Sequence, residues 1–361
     1  IHVNAKAKDQ GIRVLVVDDS PTFLAIIKDI LRKFKSIDEL LLVSSGMEAI
    51  EKTRSFRPHL IFMDLMMPGI GGLEALAKIK ERDANVDVVI ISGAAEDAAQ
   101  ITIEAIKQGA LDFVCKPVTR SLEEMEDYFL ARLSPFIRRA SYKLICLDPE
   151  DRFSATQHES RSVEALKARK YYDEVKLVVV GVSTGAPNSL PSLVSKLPVD
   201  LAAPVLAFVD VPKVFLRFLG RLLLTSSSIA IAEANDGDRL SPARILVVPS
   251  TSSVVVTKSG GTLSLKIEET TRQEKLLDEL LYSVADVMSE GCLATIMSGF
   301  GQDGYAGVER LRNTGEHICL VQSPESCTAP ERPSLLIDNG LADEVISLEN
   351  LGNRIVEIVN K

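Results

Sequence analysis

Tryptophan is absent from the 361 residues and aromatics make up only 5% of them, so the hydrophobic cores must rely on Val, Ile, Leu and Ala. Histidine is scarce too. There are four, His2, His59, His158 and His317, which limits any chemistry that needs an imidazole base. The five cysteines form no CxxC pair and no metal spacing, and their odd number points to a reducing compartment. No apolar run reaches the ~18 residues that cross a bilayer, and the opening IHVNAKAKDQ lacks the apolar stretch of a signal peptide. These absences predict a cytoplasmic protein with no direct membrane insertion. Clusters of Lys and Arg are missing as well. At a net charge of −9, nucleic acid is excluded as the main partner, because phosphate neutralisation needs concentrated positive charge.

What is present describes a globular chain, 46% apolar and 25% charged, long enough for two domains. Residues 11–118 alternate short apolar runs such as IRVLVVDD (12–19) and HLIFMDLMMP (59–68) with stretches of helical spacing such as TFLAIIKDILRKF (22–34). Five strands and about five helices in alternation predict a doubly wound parallel sheet, whose ligands sit at the carboxyl ends of the strands. Residues 119–174 read as a linker. SLEEMEDYFLARLSPFIRRASYKL has room for one or two helices, and DPEDRFSATQHESRS is polar and turn-rich. Residues 175–361 resume an α/β rhythm, with strands expected at 176–182, 203–209, 228–234, 244–250, 292–298, 317–322 and 343–348. A hairpin over 253–268 turns on Gly260-Gly261. The fold class is therefore α/β: two three-layer doubly wound domains, the second a parallel sheet with a β-hairpin.

In the first domain Asp18 and Asp19 follow strand one, and Asp64 follows strand three. Three carboxylates in one pocket repel one another and call for a hard cation such as Mg²⁺. Ser92 ends strand four and Lys116 ends strand five, adding a hydroxyl and an ammonium to the same rim, and Lys116-Pro117 invites a cis bond that would aim the lysine inward. This is a carboxylate prepared to accept a phosphoryl group.

Those residues, within VLVVDDS, IFMDLMMPG, VVIISG and DFVCKP, resemble the response-regulator receiver domain across residues 11–118. The resemblance implies a flavodoxin-like fold and phosphorylation of Asp64 by a CheA-type histidine kinase. It implies that Asp19, Asp64 and the Met66 carbonyl hold Mg²⁺, with Asp18 acting through water. It also implies that Ser92 and Phe113 form the switch pair, while Lys116 contacts the phosphoryl oxygens. Gly71 stands where the family often carries an acid, away from the chemistry.

In the second domain, GVSTGAP (181–187) follows the apolar run KLVVV, displaying Ser183 at a strand end as nucleophiles often are. Such a serine needs a base. VVVGVSTGAP, EANDGDRL, IMSGFGQDGYAG, CLVQSPESC and GLADEVISL resemble the methylesterase domain of the CheB family. The resemblance implies attack by Ser183 on a glutamyl methyl ester of methyl-accepting chemoreceptors, with Thr184 beside it and Asp303 as the orienting acid. The family's histidine stretch is here VDVPKVF (209–215), so Asp210 occupies the histidine position. Further departures are TRQEKLLD (271–278) for the family's HRPS segment, Phe300 for Met, Ala186 for Gly, and APERP (329–333) for GMP. An ionised Asp is a weak base at neutral pH, and loss of a triad member costs orders of magnitude in rate.

His317 follows Asp303 by only one helix and opens the next strand, at the sheet's amino end. His59 precedes the strand of Asp64. The reading is a chemotaxis response regulator with a degenerate methylesterase-like output that acts by binding. Its rival is an active protein-glutamate methylesterase and glutamine deamidase using Ser183.

Overall fold

The run IRVLVV (Ile12–Val17, β1) is apolar almost throughout, a strand that is stable only when helices cover both faces of its sheet. The computed structural model has this arrangement. It describes residues 11–93, 95–117, 121–145, 174–211, 213–270 and 275–361. They fall into two compact units, one made of the described residues up to 145 and the other of those from 174 on.

In the first unit β1 pairs in parallel with β2 (Ile37–Val43) and β3 (Leu60–Met63), and β4 (Asp87–Ser92) and β5 (Asp112–Cys115) extend the sheet to the order β2-β1-β3-β4-β5. Helices α1 (Pro21–Leu31), α2 (Gly46–Phe56), α3 (Gly72–Arg82) and α4 (Glu96–Lys107) connect these strands. The start of α1 follows from sequence: Pro21 suits the first turn, and Ser20 Oγ accepts from the Phe23 N–H at 3.3 Å. The chain leaves β1 for β2 on one side and then crosses to β3 on the other. That reversal opens a crevice at the carboxyl ends of β1 and β3.

A fifth helix, α5 (Leu122–Ile145), lies in the stretch read as linker. Its Phe129, Leu133, Phe136, Ile137 and Ala140 are buried with Val14, Val16, Phe62, Val89 and Ile91 of the sheet. Burying each large side chain contributes about 1.5–3 kcal/mol. Arg139 and Lys143 of the same helix pair with Asp87, at 3.2 and 2.9 Å. Residues 146–173, with the polar part of the expected linker and His158, lie outside the described residues, as do 1–10 with His2.

The second unit is a seven-stranded parallel sheet. In order these are β14 (Glu344–Ile346), β13 (Glu316–Gln322), β12 (Glu290–Ile296), β6 (Leu177–Val182), β7 (Val205–Val209), β9 (Arg244–Pro249) and β8 (Ala230–Glu233). Helices α6 (Ala186–Val194), α7 (Lys213–Ser226), α8 (Leu276–Val287), α9 (Tyr305–Thr314), α10 (Glu331–Asp338) and α11 (Leu348–Val359) accompany it. The hairpin β10 (Ser252–Ser259) and β11 (Thr262–Glu269) turns at Gly260 (φ 55°) and Gly261 (φ 86°), left-handed values that a two-residue turn requires. Ser283 of α8 accepts from the Val256 N–H at 2.9 Å and ties the hairpin to the domain. The chain winds outward from β6 in both directions, so the crevice of this sheet opens at the end of β6, next to Ser183. No helix among the described residues is long and apolar enough to cross a membrane.

Candidate functional site

The expected site residues gather at two rims, one at the switch point of each sheet. In the first unit Asp18 and Asp19 leave β1 and Asp64 leaves β3, and ligand atoms of the three lie within 4.8 Å of one another. Asp18 is 1% exposed and Asp64 6%. Lys116 donates to Asp18 Oδ2 at 2.7 Å and also to Asp64 Oδ2. Asp64 Oδ1 accepts from the Met66 N–H and Asp18 Oδ1 from the Ser20 N–H, both at 2.9 Å. Burial pushes the Asp18 carboxyl above its ordinary range; Lys116 and the Ser20 N–H pull it down without prevailing, and Asp64 adds to the rise. For Lys116 burial works against the charge, but its hydrogen bonds to Asp18 and Asp64 and their charges outweigh that and hold its pKa above the ordinary value.

One ammonium against three acids leaves negative charge uncompensated. The donor set, carboxylate oxygens beside backbone carbonyls, fits a small hard cation held by Asp18, Asp19 and Asp64. Ser92, fully buried, ends β4 and takes the Lys116 N–H on its carbonyl at 2.8 Å. Phe113 lies in β5, 9% exposed. The Met66 side chain points to solvent. The expected cis bond at Lys116–Pro117 is not found: no peptide bond among the described residues is cis, the trans form keeps its intrinsic advantage, and the long lysine side chain reaches the acids from it. Sequence reasoning missed Phe23, whose ring lies 4.5 Å beneath Lys116 Nζ. An aromatic in the first turn of the helix after the acids was the available signal.

In the second unit Ser183 ends β6, 5% exposed, with its N–H donated to the Ser298 carbonyl at 3.0 Å. Ser298 holds the loop from the other side. Its hydroxyl donates to the Thr184 carbonyl at 2.6 Å and accepts from the Ala329 N–H at 2.9 Å, and its own N–H goes to Gln322 Oε1 at 2.9 Å. A side chain at Gly299 would place its Cβ 2.5 Å from Ser183 Oγ and 2.8 Å from Arg332 Cζ, so hydroxyl and guanidinium press against the same glycine. Arg332 is itself 5% exposed, and its Nη2 donates to the Phe300 carbonyl at 3.3 Å.

Asp210 follows β7 directly, and its N–H donates to the Val182 carbonyl at 3.0 Å, at the same end of the sheet as Ser183. Asp303 has both carboxylate oxygens on the start of α8, Oδ1 on the Asp278 N–H at 2.9 Å and Oδ2 on the Leu277 N–H at 3.1 Å. Asp278 Oδ1 in turn accepts from the Gly304 and Gly307 N–H groups at 2.9 and 2.7 Å. Burial raises the Asp278 carboxyl above its usual range, the Gly307 and Gly304 N–H groups opposing it and Asp303 adding to it.

His317 is the second residue of β13, and its Nδ1 accepts from the Cys292 N–H at 3.3 Å, at the amino ends of β12 and β13. His59 precedes β3 and accepts from the Arg13 N–H at 2.9 Å. Burial lowers the pKa of both rings. Neither described histidine is on the rim of Ser183. Arg332 and Asp278 were not anticipated as site residues; the only hint was the departure of APERP and TRQEKLLD from the family pattern.

A family model described as CheB methylesterase matches residues 178–355, and one described as response regulator receiver domain matches residues 14–126. A protein-glutamate methylesterase/protein-glutamine glutaminase of Geobacillus kaustophilus is 30% identical over 356 residues, covering 97% of this chain and 99% of that protein. Its namesake of Thermotoga maritima is 29% identical over 357 residues, with 97% and 99% covered. The solved CheB methylesterase catalytic domain of Thermotoga maritima aligns at 25% identity with a TM-score of 0.49, covering 52% of this chain and 100% of that one.

Proposed function

This chain belongs to the CheB methylesterase family, as a chemotaxis-type response regulator with a receiver domain ahead of a methylesterase domain, and from that membership we propose a regulator phosphorylated on Asp64 whose output acts by binding rather than by efficient ester hydrolysis. The proposed domains are a receiver over 11–118, extended by α5, a linker within 119–174, and a methylesterase-like output over 175–361.

In the receiver, an Asp64 carboxylate oxygen forms the new P–O bond as the P–N bond of a kinase phosphohistidine breaks. The donor is a CheA-type kinase. Asp19, Asp64 and the Met66 carbonyl would hold Mg²⁺, with Asp18 acting through water. When bound, that ion supplies the positive charge that lets phosphoryl oxygens enter an acidic pocket. Lys116, already on Asp64, contacts the phosphoryl oxygens, and Ser92 and Phe113 respond to them.

The observation that carries the binding output is Asp210. It stands after β7 with its N–H on the Val182 carbonyl, and the family resemblance puts at this position the histidine that would take the serine's proton. A carboxylate there takes a serine proton poorly at neutral pH. The partners proposed are the kinase and methyl-accepting chemoreceptors. The second reading is an active protein-glutamate methylesterase and glutamine deamidase using Ser183, favoured by the names of the full-length relatives and by the display of Ser183 at a strand end.

The test starts from radiolabelled kinase phosphohistidine. Label should pass to the wild-type protein and not to Asp64→Asn, and chelation of divalent cations should stop it. The phosphorylated protein should then sediment with methylated receptor in vesicles while the receptor keeps its methyl groups. Loss of the methyl groups in step with phosphorylation would establish the second reading.

A further inference from the structure

Phe23 is the third residue of α1, and its ring lies under the ammonium of Lys116, with Nζ 4.5 Å from the centroid. An ammonium over a ring is attracted by the negative π face, and this attraction takes up none of its N–H groups. Those groups are needed elsewhere: Lys116 donates to Asp18 Oδ2 at 2.7 Å and also to Asp64 Oδ2.

The ring is held from two elements. Its own turn is capped, with the Phe23 N–H donated to Ser20 Oγ at 3.3 Å and the Ser20 N–H to Asp18 Oδ1 at 2.9 Å. One turn of chain thus sets both an acid of the pocket and the ring beside it. Phe129 of α5, fully buried, meets the ring edge-to-face, with centroids 5.7 Å apart and planes at 68°.

Lys116 has to change partners when Asp64 is phosphorylated. Before transfer Asp64 presents a charged carboxylate. Once one of its oxygens carries the phosphoryl group, the carboxyl is an acyl phosphate, and the charge sits on the phosphoryl oxygens. The pull of Asp64 on Nζ therefore falls as the new bond forms. The pull of the ring does not.

Resting on the phosphorylation of Asp64 proposed above, we propose that Phe23 is a positioning residue for phosphoryl transfer. Its ring, steadied by Phe129, keeps the Lys116 ammonium at the rim while its partner changes from carboxylate to phosphoryl oxygen. Phe23 acts through Lys116 and needs no contact with the phosphoryl group.

The experiment uses the full-length protein with acetyl phosphate as donor at a fixed Mg²⁺ concentration. An Asp64 oxygen forms the new P–O bond as the P–O bond to the acetyl group breaks, and acetate leaves. Phe23→Leu, apolar but without a ring, should be phosphorylated about threefold to tenfold more slowly than wild type, within the range of one cation–π contact. A second series keeps the ring. Mono-, di- and trifluorophenylalanine at position 23 draw charge from the π face, and the logarithm of the rate should fall with each fluorine while the melting temperature holds. A packing role alone would leave this series flat. In the protein free of divalent cations, the Lys116 side-chain protons nearest Nζ should resonate upfield through the ring current and return to ordinary lysine positions in Phe23→Leu. A flat fluorine series, a Phe23→Leu protein as fast as wild type, or unshifted lysine protons overturns the role of Phe23. A wild type that takes no phosphoryl group, or an Asp64→Asn protein that takes it equally well, sinks the receiver reading itself and this inference with it.

Discussion

Asp278 and Asp303 cap each other's helices. Asp303 accepts both of its hydrogen bonds from the first turn of α8, which contains Asp278, and Asp278 accepts two from the first turn of α9 and the glycine before it, directly after Asp303. The acid that the family resemblance casts as the orienter of a base is here committed to the backbone on both oxygens.

The expected consequence is structural. Asp303→Ala should destabilise the protein by about 1–2 kcal/mol, the usual cost of losing a cap, and Asp303→Asn by less, since one amide oxygen can still accept. Chemical denaturation of both variants checks this. An Asp303→Ala protein as stable as wild type would contradict the reciprocal cap.

Asp18 makes a pH prediction. Its carboxyl is raised above 3.8, so the folded state holds the proton more tightly than the unfolded chain does. The stability that comes from the protonated form is present below 3.8 and is lost as pH rises through the folded-state pKa. Asp18→Asn should therefore melt higher than wild type at neutral pH, and the difference should vanish in acid. Thermal melts of both proteins across pH, without divalent cations, measure it. A lower Asp18→Asn melting temperature at neutral pH would mean that Lys116 outweighs burial.

Helix α5 should behave as part of the receiver core. Leu133→Ala removes a fully buried side chain and should cost about 2–5 kcal/mol. A receiver fragment ending at residue 145 should melt cooperatively and above one ending at residue 118. Equal melting of the two would show that α5 adds nothing.

Gly299→Ala puts a methyl group 2.5 Å from Ser183 Oγ and 2.8 Å from the Arg332 guanidinium, so one of them must move. Overpacking of this kind costs about 1–3 kcal/mol. Denaturation should register that loss, and an unchanged midpoint would mean the contact yields freely.

Much of this architecture was legible because period and punctuation agree. The alternation of apolar runs located the strands of both sheets, Gly260-Gly261 located the hairpin, and strand-end acids located the first rim, since a doubly wound sheet brings those ends together. The sequence stretch around α5 read as linker because its charges are dense. Its apolar positions, Phe129, Leu133, Phe136 and Ile137, recur at helical spacing and needed a neighbouring sheet to be recognised as core. Arg332 and Asp278 were illegible for another reason. A buried arginine or aspartate in a helix looks like an ordinary surface residue until the backbone groups that surround it are known.

The decisive observation is methanol release from a methylated receptor by the purified protein supplied with a phosphoryl donor, beside Ser183→Ala and Asp210→His. A binding output predicts that wild type and Ser183→Ala release none above background, and that Asp210→His, which puts an imidazole where the family resemblance has its histidine, releases some. Methanol released by the wild type and lost in Ser183→Ala would contradict it and identify the chain as a working esterase with a base other than histidine at position 210.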